Sequence, residues 1–101
     1  MNDNENVTAR PKDDFEHYAR ALKVLAHPQR LRIIAFLAQH TRAPVHKIQV
    51  ALALSQSSVS MHLAQLRQMG LISTRRQGRE SWYEIANPCC LNILNCMRTP
   101  S

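Results

Sequence analysis

Residues 52–72 run LALSQSSVSMHLAQLRQMGLI. Within them Val59, Leu63 and Leu66 recur at steps of four and three, the spacing that lines one face of a helix over residues 57–69. Gly70 follows at once, where a helix ending in a left-handed cap needs a residue without a Cβ. Before it, Leu54-Ser55-Gln56 forms a polar break, and residues 45–53 carry Val45, Ile48, Ala51 and Leu52 on one side of an earlier short helix. The stretch therefore encodes a helix, a tight turn and a second helix whose outer face is polar.

The flanks extend this unit. Upstream, Phe15, Tyr18, Leu22 and Leu25 predict a helix, which His27-Pro28 ends while opening the next, because proline is tolerated at a first helical position. Leu31, Ile34, Phe36 and Leu37 carry that second helix to about Gln39, and Ala43-Pro44 breaks the chain again. Downstream the period shortens: residues 71–74 and 81–85 are β-prone, joined by Arg75-Arg76-Gln77-Gly78-Arg79-Glu80, with Gly78 marking a hairpin. Asn87-Pro88 opens a last helix over residues 88 to about 98, with Leu91, Ile93, Leu94 and Met97 at helical spacing. Residues 1–12 and 99–101 read as tails, leaving one domain over 13–98. The expected fold is mainly α with a small β-hairpin, in the order α-α-α-α-β-β-α: a winged helix-turn-helix.

Charge narrows the function. Of 101 residues, 13 are Lys or Arg and 7 Asp or Glu, and ten of the cations are arginine, the side chain suited to bidentate phosphate and guanine contacts. Five of the seven acids lie in the first 16 residues; from residue 17 onward 11 cations face 2 acids, a surplus of nine. So basic a body points to a polyanionic partner, nucleic acid or an acidic membrane surface. No apolar run approaches the ~18–20 residues that span a bilayer. The polar, acidic start MNDNENVTAR has no secretory character, so a reducing cytoplasm is expected, and three cysteines make no disulfide framework.

Ser55, Gln56, Val59, Ser60, His62 and Leu63, followed by Leu66, Gly70 and Leu71, closely resemble the recognition unit of the ArsR/SmtB family of bacterial repressors. Upstream, Leu25-Ala26-His27-Pro28-Gln29-Arg30-Leu31-Arg32-Ile33 resembles the opening of that family's second helix. The resemblance covers roughly residues 15–88 and implies a cytoplasmic DNA-binding repressor that is not an enzyme. It also implies a homodimer on a palindromic operator, with the first and last helices as the interface. Phe15, Tyr18, Leu22, Leu91 and Leu94, with Ile93 and Met97, fit such a surface, since they exceed what one small core needs. The polar groups Gln56, Ser57, Ser58, Ser60 and His62 suit base edges and phosphates in the major groove. Arg67 and the hairpin's Arg75, Arg76 and Arg79 suit the backbone or the adjacent minor groove. A serine at a helix start also serves as a cap, and His62 could pack on its own backbone.

What the chain senses is a separate question. The resemblance implies release from DNA on binding a metal ion or on thiol oxidation. The family's Cys-x-Cys site at the helix-turn-helix entry is absent, since Val45-His46-Lys47-Ile48-Gln49-Val50 stands there. Its zinc site on the last helix is absent as well, and the five histidines are too scattered for a zinc cluster. Instead Cys89, Cys90 and Cys96, every cysteine in the chain, fall within eight residues. Three thiolates suit a soft ion, and the spacing resembles the arsenite-responsive variant with a carboxy-terminal Cys-Cys-x5-Cys cluster. Arsenite, or another thiophilic ion, is thus the expected effector. On an unbroken helix, however, positions 89 and 96 stand ~10.5 Å apart along the axis and 90 points ~100° away, so a shared ion requires unwinding or a second subunit. Thiol oxidation or sulfide sensing is the alternative; a winged-helix protein-interaction module is a remoter one. A cysteine enzyme lacks a base near the thiols and room for a deep pocket.

Overall fold

The computed structural model describes residues 13–98; the expected tails, residues 1–12 and 99–101, lie outside the described residues. Helix α1 (Phe15–Leu25) starts where the Asp14 carboxylate accepts from the His17 N–H at 3.0 Å. Helix α2 (Pro28–His40) starts with proline in its first turn and His27 as its cap: Nδ1 of His27 accepts from the Gln29 N–H at 3.1 Å. The chain then turns through Thr41 at a φ of +69°, an unusual backbone for a β-branched residue, into strand β1 (Arg42–Pro44).

Helices α3 (Val45–Leu52) and α4 (Gln56–Gln68) form the helix-turn-helix. Ala53 makes the turn in the left-handed region, φ +56° and ψ +43°, and the Ser55 hydroxyl caps α4 by accepting from the Ser58 N–H at 3.2 Å. At the other end of α4 the Gly70 N–H donates to Arg67 and the Leu71 N–H to Leu66, the paired bonds of a Schellman cap, with Gly70 at φ +72°. Strands β2 (Ile72–Gln77) and β3 (Glu80–Ile85) then form a hairpin whose two-residue tip, Gly78-Arg79, has Gly78 at φ +63°. At its base the Leu71 carbonyl accepts from the N–H groups of both Ala86 and Asn87, at 3.0 and 3.3 Å, so the hairpin leaves and returns through one residue. Helix α5 (Cys89–Arg98) closes the domain, its start held by Asn87 Oδ1 accepting from the Cys89 N–H at 2.9 Å.

The sheet is antiparallel in the order β1-β3-β2, with Arg42 opposite Glu84 and Pro44 opposite Trp82. β1 is an addition to the expected α-α-α-α-β-β-α order. It is three residues long, carries a proline and exists only through its pairing with β3, so no alternation could announce it. The hairpin strands are also longer than expected, which puts Arg75 and Arg76 on β2 and not in the connection. The core joins Leu25 of α1, Ile33, Ile34 and Leu37 of α2 and Ile48 of α3 to Val59, Leu63 and Leu66 of α4 and Ile72 of β2. Both α4 and the hairpin are thereby fastened to α2, and the outer face of α4 is left uncovered.

Candidate nucleic-acid interface and the cysteine helix

On α4, Gln56, Ser57, Ser60, Met61, Ala64, Arg67 and Gln68 are exposed, while Ser58 is half-buried. Ser55, not Ser57, supplies the cap, leaving Ser57 exposed on the first turn with only a 3.3 Å contact to the Ser55 hydroxyl. Arg75, Arg76, Gln77 and Arg79 are exposed on the hairpin. Between the two elements runs a groove of about 330 Å³ bordered by His46, Gln49, Gln56, Arg79 and Tyr83. His46, at the start of α3, stands 3.0 Å from the Glu80 carboxylate at the start of β3 and ties the hairpin to the helix-turn-helix. The surface is therefore a protruding helix of short polar groups beside a basic two-stranded arm, a shape and charge that match a major groove and its flanking phosphates.

His62 departs from expectation. It is 5% exposed and lies among the core residues of α4, so it does not belong with the outward polar set. Its Nδ1 accepts from Nε of Arg30 at 3.2 Å, and its ring meets that of His27 edge-on at 4.7 Å. Burial, and after it the neighbouring His27 and Arg30, hold its pKa below the usual histidine value. The physical reason is position: Val59, His62, Leu63 and Leu66 follow i, i+3, i+4, i+7, which is the buried stripe of a helix. The partners of His62 lie 32 and 35 residues away in sequence, and the i, i+3 spacing of His27 and Arg30 at the start of α2 is the one local sign that the two share a face.

The three thiols part company. Cys90 is buried in the core, and that burial, then Cys89 beside it, pushes its thiol pKa up. Cys89 and Cys96 are exposed. α5 is unbroken, and among the described residues no three His, Cys, Asp or Glu side chains converge on a point that could hold a metal ion. One chain as folded therefore does not fit three-sulfur ligation, and the expected joint site of Cys89, Cys90 and Cys96 is not assembled within it.

α1 leaves Phe15, Tyr18 and Leu22 exposed, with the Phe15 and Tyr18 rings edge-to-face at 5.8 Å, and Met97 of α5 is 76% exposed. Leu91 and Leu94 are half-buried, and Leu22, Leu25, Met69 and Ile93 line an apolar cleft of about 280 Å³ between α1 and α5. Among the described residues no helix is long and apolar enough to cross a membrane.

A family profile described as bacterial regulatory protein, arsR family, matches residues 27–74. The chain is 42% identical over 83 residues to the transcriptional repressor PagR of Bacillus anthracis, covering 82% of this chain and 83% of that protein. The crystal structure of PagR superposes with a TM-score of 0.76 over 83% of this chain and 95% of that one, at 38% identity. The homodimeric winged helix-turn-helix DNA-binding domain Mb0332 of Mycobacterium bovis gives a TM-score of 0.75 at 27% identity, over 89% and 87% of the two chains. A probable mercury resistance operon repressor of Streptomyces lividans is 34% identical over 80 residues, 79% of this chain and 63% of that protein. The fold, the polar recognition helix beside a basic wing, and these likenesses agree: the chain belongs to the ArsR family of bacterial transcriptional regulators, DNA-binding winged helix-turn-helix repressors and not enzymes.

Proposed function

We propose that the chain acts in the cytoplasm as a homodimeric repressor of a palindromic operator. The observation that carries this reading is the exposed row Gln56, Ser57 and Ser60 on α4 beside Arg75, Arg76 and Arg79 on the hairpin. In a twofold dimer two such helices enter successive major-groove turns ~34–36 Å apart, while Arg67 and the wing arginines take phosphates or the minor groove. The exposed faces of α1 and α5, with Phe15, Tyr18, Leu22 and Met97, are the surface assigned to the second copy, with Leu91 and Leu94 beneath it. Homodimerisation of Mb0332, which shares the fold, supports this assignment.

Relief of repression is assigned to the accessible thiols Cys89 and Cys96, with arsenite or another thiophilic ion as the effector class. The likeness to a probable mercury resistance repressor supports a soft ion. Because Cys90 is buried, a three-sulfur site requires a sulfur from a second copy or an opened first turn of α5. Thiol oxidation is the second reading, favoured by the exposure of the same two thiols.

The test is a gel shift on the chain's own promoter with arsenite, zinc, mercury and peroxide in parallel. Binding that weakens steeply with salt and is released by arsenite without oxidant supports the reading. Release by peroxide alone, reversed by dithiothreitol, replaces the ion with oxidation. Absence of salt-dependent binding overturns the repressor assignment, and full arsenite release in Cys89→Ser and Cys96→Ser variants ends the thiol site.

A further inference from the structure

Arg30 sits at a three-helix junction. Its Nε donates to His62 on the recognition helix, and its Nη1 donates to the Val24 carbonyl near the end of α1 at 3.1 Å. His27 stands at the same junction, its ring against His62 and its Nδ1 committed to the first turn of α2. Both imidazoles thus use Nδ1 as an acceptor, a role open only to the neutral ring. Protonation of either replaces an accepted hydrogen bond by two N–H groups facing each other, and adds positive charge beside a guanidinium.

Among the described residues, no carboxylate acts on His62 to offset that charge. From α2 and its cap the ionisable groups facing His62 are Arg30 and His27. The other elements packed on α4 are α1, α3 and β2. Their ionisable side chains are Glu16, His17, Arg20 and Lys23 on α1, Tyr18 beside them, His46 and Lys47 on α3, and Arg75 and Arg76 on β2. All of these are exposed, and His27 and Arg30 are the groups whose charge acts on His62.

We propose that His62 is a positioning residue for operator binding, and that the Arg30–His62–His27 junction seats the recognition helix only while both imidazoles are neutral, so that acidification releases DNA. The proposal rests on the DNA-binding reading above. The direction of the His62 shift agrees with it. A histidine held neutral in the fold takes up its proton in the unfolded chain first, so its stabilising effect is full above about pH 6.5 and drains as pH falls through the lowered folded value. The sign is diagnostic, because positive charge gained at a protein surface by itself tightens binding to DNA.

The experiment measures affinity for a labelled duplex of the chain's own promoter from pH 8 to 5.5 at constant ionic strength, with far-UV circular dichroism in parallel. The expected result is affinity falling about tenfold or more below pH 6.5 while helix content is retained. His62→Asn offers Arg30 an acceptor that does not titrate, and His27→Asn supplies a good helix cap; the double variant binds at pH 8 and loses the acid-induced fall. Should the double variant not fold, His27→Asn alone decides the matter: it removes a positive neighbour that holds the His62 pKa down, so the midpoint of the acid-induced fall moves to higher pH. Affinity that stays flat or rises in acid, or a fall that persists unchanged in the asparagine variants, overturns the latch. Absence of binding at pH 8 instead overturns the DNA-binding reading and the latch with it.

Discussion

Nδ1 of His46, in the first turn of α3, lies 3.0 Å from Oε1 of Glu80, the first residue of β3. This contact spans the groove between the helix-turn-helix and the wing, and it places an acid of the body beside the arginines assigned to phosphate. Both partners are largely exposed, at 59% and 46%, so solvent screens their attraction.

Glu80→Gln is therefore expected to change unfolding free energy by less than about 0.5 kcal/mol. The same substitution removes a negative charge next to Arg79 and should strengthen duplex binding at low salt. Chemical denaturation and a binding isotherm check the two halves; weaker binding by Glu80→Gln would mean that seating the wing matters more than its charge.

Replacing Arg75, Arg76 or Arg79 with alanine should weaken binding to every sequence alike. Each substitution that removes a phosphate contact lowers the slope of log affinity against log salt by ~0.9. Gln56→Ala and Ser57→Ala, by contrast, should leave that slope nearly unchanged while relaxing discrimination between operator and random duplex. Fluorescence anisotropy over a salt series separates the two classes, and an unchanged slope in all three arginine variants would remove the wing from the interface.

The thiols should react in an order fixed by burial. Cys89 and Cys96 are exposed, whereas burial and the adjacent Cys89 keep Cys90 protonated. Alkylation followed by mass spectrometry at pH 8 should label Cys89 and Cys96 at least about tenfold faster than Cys90. The raised pKa also gives a stability trend: the contribution of the protonated Cys90 is complete below the usual thiol pKa and is lost as pH rises through the higher folded value. Equal labelling rates would show that the start of α5 opens readily.

Ala53 holds the turn between α3 and α4 at φ +56°, where a Cβ is crowded by the following peptide. Ala53→Gly is expected to stabilise the fold by about 0.5–1 kcal/mol, the relief of that crowding exceeding glycine's extra unfolded-state entropy. Thermal unfolding at fixed protein concentration should show a Tm several degrees higher. A lower Tm would mean that the turn carries no strain.

The sequence made the helix-turn-helix and its support legible because their signals are local: the 59, 63, 66 repeat, Gly70 after the recognition helix, Pro28 at the start of the second helix. Structures that depend on distant partners were not legible. β1 shows itself only against β3, and the arginines of β2 lie on a strand because Ile72–Gln77 pairs along its full length with residues 80–85. His62 looked like an outward polar group because histidine is polar, whereas its place at i+3 from Val59 assigned it to the buried stripe. For the cysteines the helical spacing alone shows that one unbroken helix cannot turn Cys89, Cys90 and Cys96 toward a common point. Which cysteine is buried is decided by α2 packing on α5, and that is invisible in the spacing.

The double acceptance of Ala86 and Asn87 by the Leu71 carbonyl has one more consequence. Because the hairpin departs and rejoins at a single residue, the separation between the end of the recognition helix and the start of α5 does not depend on how far the hairpin extends. Insertions or deletions at Gly78-Arg79 would lengthen or shorten the reach along the duplex without re-spacing the two copies of α4. Footprint and half-site spacing are thus independent variables, and this architecture allows new operators to be acquired by changing the arm alone.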